Sequence, residues 1–156
     1  MVGDGSYLMM ATELATAVQE GIKIITVLVQ NHGYASIGSL SESLGSQRFG
    51  TRYRFRNPET GRLDGDKLPL DLAANAASFG LEVIKTSTAA EFADAVKAAK
   101  AADSPVVIYV ETDPLIGAPD SQSWWDVPVS ATSALDSTQQ AREVYDKHKD
   151  TQKLFL

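Results

Sequence analysis

The sequence predicts an α/β fold in which a parallel sheet carries helices on both faces. Three observations favour this class: short β-branched runs recur along the chain, segments of helical periodicity separate them, and glycines follow several of those segments. The chain has 156 residues, about the size of one domain, and contains no internal repeat. We expect a single domain over 1–156 that ends in an irregular extension over 114–156.

The individual elements follow from the spacing of apolar residues and from the residues that end each segment. Helices are predicted at 6–20, 34–44, 71–79, 88–102 and 138–149, and strands at 24–29, 82–85 and 106–110. The strand 24–29 has the composition of one that is buried on both faces. Ser137 is a candidate N-cap for the last helix. The polar stretch 49–67 is predicted to be a loop, and a loop of that length is usually functional or disordered.

The first two residues, Met1 and Val2, are apolar and run directly into Gly3-Asp4-Gly5. Two residues are too few for an ordinary strand, whose usual length is about 5–6 residues. The spacing indicates the carboxyl end of a strand that begins upstream, so we hypothesise that the domain is truncated at its N-terminus. A start codon at Met1 without an upstream reading frame would contradict this hypothesis.

Composition excludes several classes of function. The formal net charge of −6 argues against a nucleic-acid-binding protein, whose surface is normally positive. No apolar run approaches the roughly 20 residues that cross a bilayer, and the first residues do not resemble a signal peptide. The chain has no cysteine, which excludes disulfides and thiolate metal sites. We therefore expect a cytoplasmic protein that binds neither nucleic acid nor membrane.

Gly3-Asp4-Gly5 has the composition of a strand-to-helix turn. Glycines on both sides of Asp4 let the backbone bend sharply and let a ligand approach without meeting a Cβ atom. The first N–H groups of the following helix would point at this turn and form an anion site. A helix dipole contributes only about 0.3–1 kcal/mol per nearby charge, so a bound diphosphate also needs a divalent cation. Asp4 is the anionic ligand placed to hold that cation.

Asn31 is the second candidate ligand of the cation. It follows Gly5 after 25 intervening residues and ends the next predicted strand, so a parallel sheet would bring it to the same edge as Asp4. Asn31 offers an amide oxygen and Gly33 a carbonyl oxygen, and an all-oxygen set suits Mg²⁺. Taken singly, Gly-Asp-Gly and an asparagine after a strand are more often ordinary turn formers. Their combination favours a phosphate–metal site.

The spacing from Gly3-Asp4-Gly5 to Asn31 resembles the signature of thiamine-diphosphate (ThDP) enzymes. In that family the motif's aspartate and final asparagine bind Mg²⁺ together with a main-chain oxygen two residues later. The resemblance therefore implies Asp4, Asn31 and the Gly33 carbonyl as metal ligands. The family often has two asparagines, whereas Gln30 precedes Asn31 here. The predicted cofactor-binding set is Gly3, Asp4, Gly5, Ser6, Asn31, His32 and Gly33.

Longer stretches resemble the C-terminal domain of the trihydroxycyclohexanedione hydrolases of myo-inositol catabolism. These stretches are GDGSYLMM, FRNPETGRLDG, LAANAASFG and SWWDVPV. Such enzymes open a cyclic 1,2-diketone by hydrolysing a carbon–carbon bond. The resemblance implies ThDP and Mg²⁺ as cofactors, a small-molecule substrate and a homo-oligomer. A carboligase similar to acetolactate synthase shares the fold and stays open as an alternative.

The resemblance also implies that these residues are an incomplete enzyme. In the family a glutamate from a different domain protonates the pyrimidine ring of the cofactor, and the two domains usually meet across a subunit interface. N-terminal domains of the same protein are therefore expected partners, no catalytic residue is assigned, and the isolated fragment is expected to be inactive. Two alternatives without thiamine chemistry remain: a non-catalytic phosphate-binding module, and a fragment whose function is subunit contact.

The remaining polar and aromatic clusters have structural interpretations. Arg52, Arg54 and Arg56 alternate with aromatic residues, a pattern more typical of a solvated loop than of a lid over a substrate. Asp64-Gly65-Asp66 lacks the following ligands of a calcium loop. The pair Trp124-Trp125 predicts a packing anchor that covers the domain or a subunit partner.

Overall fold

The predicted parallel sheet is present and consists of four strands in the described part of the chain. A computed structural model of the protein describes residues 1–117, 119 and 123–153. The strands are β1 (Val2–Gly3), β2 (Ile25–Gln30), β3 (Glu82–Thr86) and β4 (Val106–Glu111), and their order across the sheet is β1-β2-β4-β3. All neighbouring strands pair in parallel, which confirms the predicted fold class.

Six α-helices accompany these strands within the described residues. They are α1 (Asp4–Met10), α2 (Glu13–Gln19), α3 (Ala35–Ser43), α4 (Leu72–Ser78), α5 (Ala89–Ala101) and α6 (Asp136–Thr151). The chain divides into two compact units: Met1–Tyr34 with Tyr53–Pro114, and Ala35–Arg52 with Leu115–Leu156. The first unit contains the whole sheet and the second contains α3 and α6. None of the described helices combines the length and apolarity needed to span a membrane.

Helices cover both faces of the sheet. The residues of β4 show this, because successive side chains of a strand point to opposite faces. Val107 belongs to a buried cluster that includes residues of α1, α2 and α4. Val106 and Ile108 belong to a second cluster, which is completed by α5. All three side chains are fully buried, and burying such a side chain contributes about 1.5–3 kcal/mol. β4 is therefore the centre of the core of the first unit.

The single helix predicted over 6–20 is wrong. The chain instead forms α1 and α2, and α1 begins at Asp4. Between the two helices the backbone tightens, because two N–H groups bond to carbonyls only three positions earlier. Tyr7 is buried, while Leu8 and Val18, which belong to the predicted apolar stripe, are exposed.

The burial of β2 is less even than the sequence predicts. Leu28 and Gln30 are almost fully buried on one face, whereas Ile25 on the other face is exposed. The reason is the position of α5, which packs against β3 and β4. Val27 reaches the α5 cluster only as a partly buried neighbour.

The predicted loop 49–67 contains no helix or strand, as expected. From Tyr53 onward it folds back on itself, with an isolated antiparallel bridge between Arg54 and Lys67. The guanidinium of Arg54 donates to the carbonyl of Gly65 at 2.9 Å, and that of Arg56 donates to the carbonyl of Gly61. These two arginines therefore stabilise their own loop, which agrees with the structural interpretation of the cluster.

The prediction of Ser137 as an N-cap is wrong. α6 begins at Asp136, and its N-cap is Leu135, which makes no side-chain capping bond. The Ser137 hydroxyl donates instead to the carbonyl of Gly45 at 2.6 Å, and the Thr138 hydroxyl donates to the same oxygen at 2.9 Å. Both hydroxyls thus serve a tertiary contact with the chain that follows α3, and neither caps the helix.

The extension 114–156 is only partly described, since residues 118, 120–122 and 154–156 lie outside the described residues. Its described part is irregular up to α6. Within it, the Trp124 ring stacks on His148 with a centroid separation of 5.6 Å. Trp124 therefore contacts α6 within the second unit, although it stays 40% exposed and Trp125 is 69% exposed.

Candidate functional site

The predicted site residues meet at the carboxyl edge of the sheet, where β1 and β2 end. Gly3 is paired with Val29 in the register of the two strands. Asp4 follows the end of β1, and Asn31 follows the end of β2. The parallel pairing therefore brings Asp4 and Asn31 side by side, although 26 positions separate them in the sequence (positions 5 to 30).

Asp4 is the most buried charged side chain of this edge, with only 1% of its surface exposed. Its Oδ1 accepts the N–H of Gly5 at 2.8 Å. Its Oδ2 accepts the N–H groups of Asn31 at 3.0 Å and of Gly33 at 3.1 Å. The carboxylate thus ties the first turn of α1 to the turn after β2. The sequence predicted Asp4 only as a metal ligand and did not predict that it accepts these backbone hydrogen bonds.

The Asn31 side chain completes a close group of polar atoms. One terminal atom of its amide lies 2.7 Å from the Gly33 carbonyl oxygen and 3.3 Å from Asp4 Oδ1. If that atom is nitrogen, it donates to both oxygens. If it is oxygen, three acceptors converge, and either a cation or a hydrogen-bond donor such as water must lie between them. The site therefore offers either a hydrogen-bonded turn or an oxygen-lined cation site, built from the same three groups.

The separations in this group are compatible with a small, hard cation as well as with the hydrogen-bonded turn. Mg²⁺ binds oxygen ligands octahedrally at about 2.0–2.1 Å, which places neighbouring ligand oxygens about 2.9 Å apart. The distances of 2.7 and 3.3 Å bracket that value. Among the described residues there is no cluster of three or more histidine, cysteine, aspartate or glutamate side chains suited to a metal ion. A cation at this edge would therefore use one carboxylate and neutral oxygens.

Gly5 is required here for a different reason from the one that the sequence suggests. Gly3 has an ordinary extended backbone with φ −80°, and Gly5 lies within α1, so neither glycine provides a left-handed bend. A Cβ atom on Gly5 would lie 2.6 Å from the Tyr34 ring, whereas one on Gly3 would meet nothing within 4 Å. The small size of Gly5 therefore accommodates Tyr34, and Gly3 is exposed. Ser6 is exposed in the first turn of α1.

The two glycines that flank Asp4 give a matched test of this packing. Gly5→Ala is expected to destabilise the protein by about 1–3 kcal/mol, because the Tyr34 ring must move away from the new methyl group. Gly3→Ala is expected to change stability by less than about 0.5 kcal/mol, since its methyl group enters open space. Urea unfolding of both variants measures the difference. Equal losses would contradict the role given to Tyr34.

His32 lies in the same turn but faces a different neighbour. Its backbone has φ +59°, a left-handed conformation that is uncommon outside glycine and often marks functional sites. Its Nε2 contacts the carboxylate of Glu111 at the end of β4, and its Nδ1 lies 3.2 Å from the Gln30 amide nitrogen. Both ring nitrogens thus have protein partners, and the side chain is 14% exposed. Its contact with a diphosphate stays a prediction.

Gln30 occupies the position where the family often has the first of two asparagines. Its side chain is buried, and its amide nitrogen donates to the carbonyl of Leu70 at 3.1 Å. Its amide oxygen accepts the hydroxyl of Tyr109 at 2.9 Å. Burial raises the pKa of Tyr109, which keeps that hydroxyl a donor. Gln30 therefore fixes the end of β2 from inside the first unit.

Two tyrosines beside the site were not predicted. The rings of Tyr34 and Tyr53 meet edge to face, with centroids 5.8 Å apart and planes at 77°. The Tyr53 hydroxyl lies 3.4 Å from the position of a Cβ atom on Gly5. Burial, followed by the nearby Asp4 carboxylate, raises the pKa of Tyr53 well above its ordinary value. The sequence signal was weak, because Tyr53 sits in a loop without periodicity.

Comparison with known proteins identifies the family of this chain. The family model described as "Thiamine pyrophosphate enzyme, C-terminal TPP binding domain" matches residues 1–110; thiamine pyrophosphate (TPP) is another name for ThDP. The chain is 37% identical over 143 residues to the 3D-(3,5/4)-trihydroxycyclohexane-1,2-dione hydrolase 2 of Bacillus cereus. That match covers 92% of this chain and 22% of the relative, and a hydrolase of Bacillus anthracis matches to the same extent. The chain thus spans about a fifth of the length of these relatives.

Solved structures agree with this assignment. The ThDP-dependent 4-hydroxybenzoylformate decarboxylase of Rhodococcus jostii RHA1 is similar with a TM-score of 0.55 and 29% identity, covering 72% of this chain and 19% of that one. The benzoylformate decarboxylase of Polynucleobacter necessarius is similar with a TM-score of 0.57 and 25% identity, covering 74% of this chain and 19% of that one. Since the family model covers more than half of the sequence, this chain belongs to the C-terminal TPP-binding domains of thiamine pyrophosphate enzymes.

Proposed function

We propose that this chain supplies the diphosphate- and Mg²⁺-binding part of a ThDP-dependent hydrolase that cleaves a carbon–carbon bond in a cyclic 1,2-diketone. The observation that carries the proposal is the convergence of the Asp4 carboxylate, the Asn31 amide and the Gly33 carbonyl at one sheet edge. The 37% identity to proteins named trihydroxycyclohexanedione hydrolases supports the reaction and the substrate class. The activity belongs to the full-length protein, meaning the protein as its gene encodes it.

The metal would be held by Asp4, Asn31 and the main-chain oxygen of Gly33. With a cation bound, the Asn31 amide would turn its oxygen toward the other two groups, because the cation would replace the hydrogen bonds of the alternative orientation. Asp4 keeps its bonds to the turn after β2 through Oδ2, which leaves Oδ1 nearest to Asn31. Mg²⁺ usually retains water and phosphate ligands, and these would complete its octahedron.

The diphosphate would lie against the first turn of α1. Gly5 and the exposed Ser6 form that turn, and Gly3 precedes it in open space. An anion next to the buried Asp4 carboxylate is unfavourable without a cation between them, which is why the metal and the diphosphate are proposed to bind together. His32 would lie beside the metal, with its ring held by Gln30 and Glu111.

The reaction depends mainly on the chemistry of the cofactor. When bound, ThDP supplies a nucleophilic thiazolium carbon that can attack a carbonyl group and permit cleavage of the adjacent carbon–carbon bond. The residues of this chain bind and orient the diphosphate end of the cofactor. No catalytic side chain is assigned here, and we propose that the acid–base groups come from N-terminal domains of the same protein in a homo-oligomer, in the cytoplasm.

Calorimetry and a reaction assay test the proposal. Full-length protein is expected to bind ThDP with Mg²⁺ and to lose that binding in EDTA, and to open trihydroxycyclohexane-1,2-dione only when both are present. The 156-residue chain alone is expected to bind weakly and to show no turnover. Carboligation of pyruvate without opening of the diketone would favour the alternative of a carboligase similar to acetolactate synthase. A protein that binds pyrophosphate but does not bind ThDP would favour a phosphate-binding module, and binding of neither would leave only a role in subunit contact.

A further inference from the structure

The Tyr53 hydroxyl is a buried polar atom without a hydrogen-bond partner, and it is the only such side-chain atom among the described residues. Buried hydroxyls are nearly always hydrogen-bonded, because losing water without a replacement is costly. An exception of this kind requires an explanation, such as a ligand, a bound water or a catalytic role. The position of the Tyr53 hydroxyl favours one of these explanations.

The position of Tyr53 is fixed at both ends. Its backbone N–H donates to the carbonyl of His32 at 2.9 Å, and its carbonyl accepts the N–H of Leu68 at 3.0 Å. Its ring packs edge to face against Tyr34. These contacts hold the hydroxyl beside Gly5, where it lies 3.4 Å from the position of a Cβ atom. The orphaned hydroxyl is therefore held next to the first turn of α1, where the diphosphate is proposed to bind.

The chemistry of this group favours donation to an anion. The pKa of Tyr53 is raised, mainly by burial and also by the negative charge of Asp4, so the hydroxyl keeps its proton. The Asp4 oxygens accept backbone N–H groups of Gly5, Asn31 and Gly33 and have no bond to Tyr53. The interaction with the Tyr34 side chain also raises the pKa of Tyr53. Because that contact does not reach the geometry of a hydrogen bond, the phenol is a neutral donor that is still available to a ligand.

We propose that the Tyr53 hydroxyl donates a hydrogen bond to a phosphate oxygen of the bound cofactor and is a diphosphate-binding residue of this site. The inference rests on the proposed function, because it requires the diphosphate to lie at α1. It adds a contact from the loop 49–67, outside the motif that runs from Gly3 to Asn31.

Tyr53→Phe in the full-length protein tests the inference with two readouts, cofactor affinity and ligand-free stability. In calorimetry with Mg²⁺, the variant is expected to bind ThDP about tenfold more weakly or worse, since a hydrogen bond to a charged group is lost. Inorganic pyrophosphate with Mg²⁺ should lose affinity by the same factor. Without ligand, the thermal unfolding midpoint should stay the same or rise, because the substitution removes an unpaired buried hydroxyl.

Tyr7→Phe is the matched control. Tyr7 is also buried, but its hydroxyl donates to the Asn75 side chain at 2.8 Å. This variant should therefore lower the unfolding midpoint without ligand and leave the ThDP affinity unchanged. If Tyr53→Phe behaves like this control, Tyr53 has a structural role and the inference is wrong.

The remaining outcomes separate this inference from the proposed function. Wild-type binding that requires Mg²⁺ but is unchanged in Tyr53→Phe overturns the inference and leaves the proposed function standing. A loss of affinity for ThDP but not for pyrophosphate places the hydroxyl against the thiamine part and overturns the phosphate assignment. Absence of ThDP binding by wild-type protein overturns the proposed function, and the inference with it.

Discussion

Replacing Asp4 with alanine is expected to destabilise the protein by about 2–5 kcal/mol, even without any ligand. The reason is that the Asp4 carboxylate accepts three backbone N–H groups while only 1% of its surface is exposed. Alanine would leave those donors without an acceptor at a buried sheet edge. Each unsatisfied buried donor costs about 1–3 kcal/mol, and small movements of the turn recover part of that loss. Denaturant unfolding of the ligand-free protein measures the effect.

Asp4→Asn separates the structural role from the proposed binding role. The amide keeps one acceptor oxygen for the turn after β2, so this variant is expected to lose less stability than alanine, about 1–2 kcal/mol. It lacks the negative charge that a Mg²⁺ ion requires, so Mg²⁺-dependent ThDP binding is expected to fall below detection in calorimetry. Loss of binding in Asp4→Ala alone would be ambiguous, since that variant also disturbs the turn.

Asp71→Ala is the matched control for Asp4. Asp71 also lies at the start of a helix, where its exposed side chain accepts a single N–H group, that of Ala74, at 2.8 Å. Removing such a cap costs about 1 kcal/mol. If Asp4→Ala cost no more than Asp71→Ala, the three buried hydrogen bonds would not have the importance given to them here. Asp71→Ala is also expected to leave ThDP binding intact.

The meeting of Asp4 and Asn31 could be predicted because it depends on topology alone. Parallel strands place their carboxyl ends at one edge, whatever the side chains between them do. The spacing of apolar residues was likewise sufficient to predict the positions of β4 and α5 in the sequence, because both elements follow from local composition. Such predictions succeed where one rule decides the outcome and no tertiary contact competes with it.

The rest of the site could not be predicted, because it depends on contacts between distant segments. The three N–H groups that bind Asp4 belong to two turns, and nothing in the sequence around Asp4 distinguishes a metal ligand from an acceptor of backbone hydrogen bonds. Tyr53 lies in a loop without periodicity, so the signal for its position beside Gly5 was weak. Ser137 failed as a predicted cap for the same reason, since Gly45 competes for its hydroxyl.

Asn31→Asp is expected to make the stability of the full-length protein strongly dependent on Mg²⁺. The new carboxylate would place an oxygen about where the amide now lies, 2.7 Å from the Gly33 carbonyl and 3.3 Å from Asp4 Oδ1. Without a cation, two carboxylates and a carbonyl face one another, which is expected to cost about 2–4 kcal/mol. Thermal unfolding in EDTA should show this loss relative to wild type.

Adding Mg²⁺ should reverse the loss if Asn31 is a metal ligand. A cation at one hundred times its dissociation constant stabilises the folded state by about 2.7 kcal/mol, and a second carboxylate should strengthen its binding. The unfolding midpoint of Asn31→Asp should therefore rise with Mg²⁺ by more than that of wild type. If the amide serves only as a donor to Gly33 and Asp4, the variant would lose that donor and Mg²⁺ would not restore its stability.

Asn75→Asp controls for the added charge. Asn75 is exposed, and its side-chain oxygen accepts the Tyr7 hydroxyl at 2.8 Å, a bond that a carboxylate can also accept. Its stability should change by less than about 0.5 kcal/mol, with no response to Mg²⁺. A Mg²⁺ response confined to position 31 would support a cation site between Asp4, the residue at position 31 and Gly33. The same three groups would then act as a hydrogen-bonded turn without the cofactor and as a metal site with it, because rotation of one amide exchanges a donor nitrogen for an acceptor oxygen.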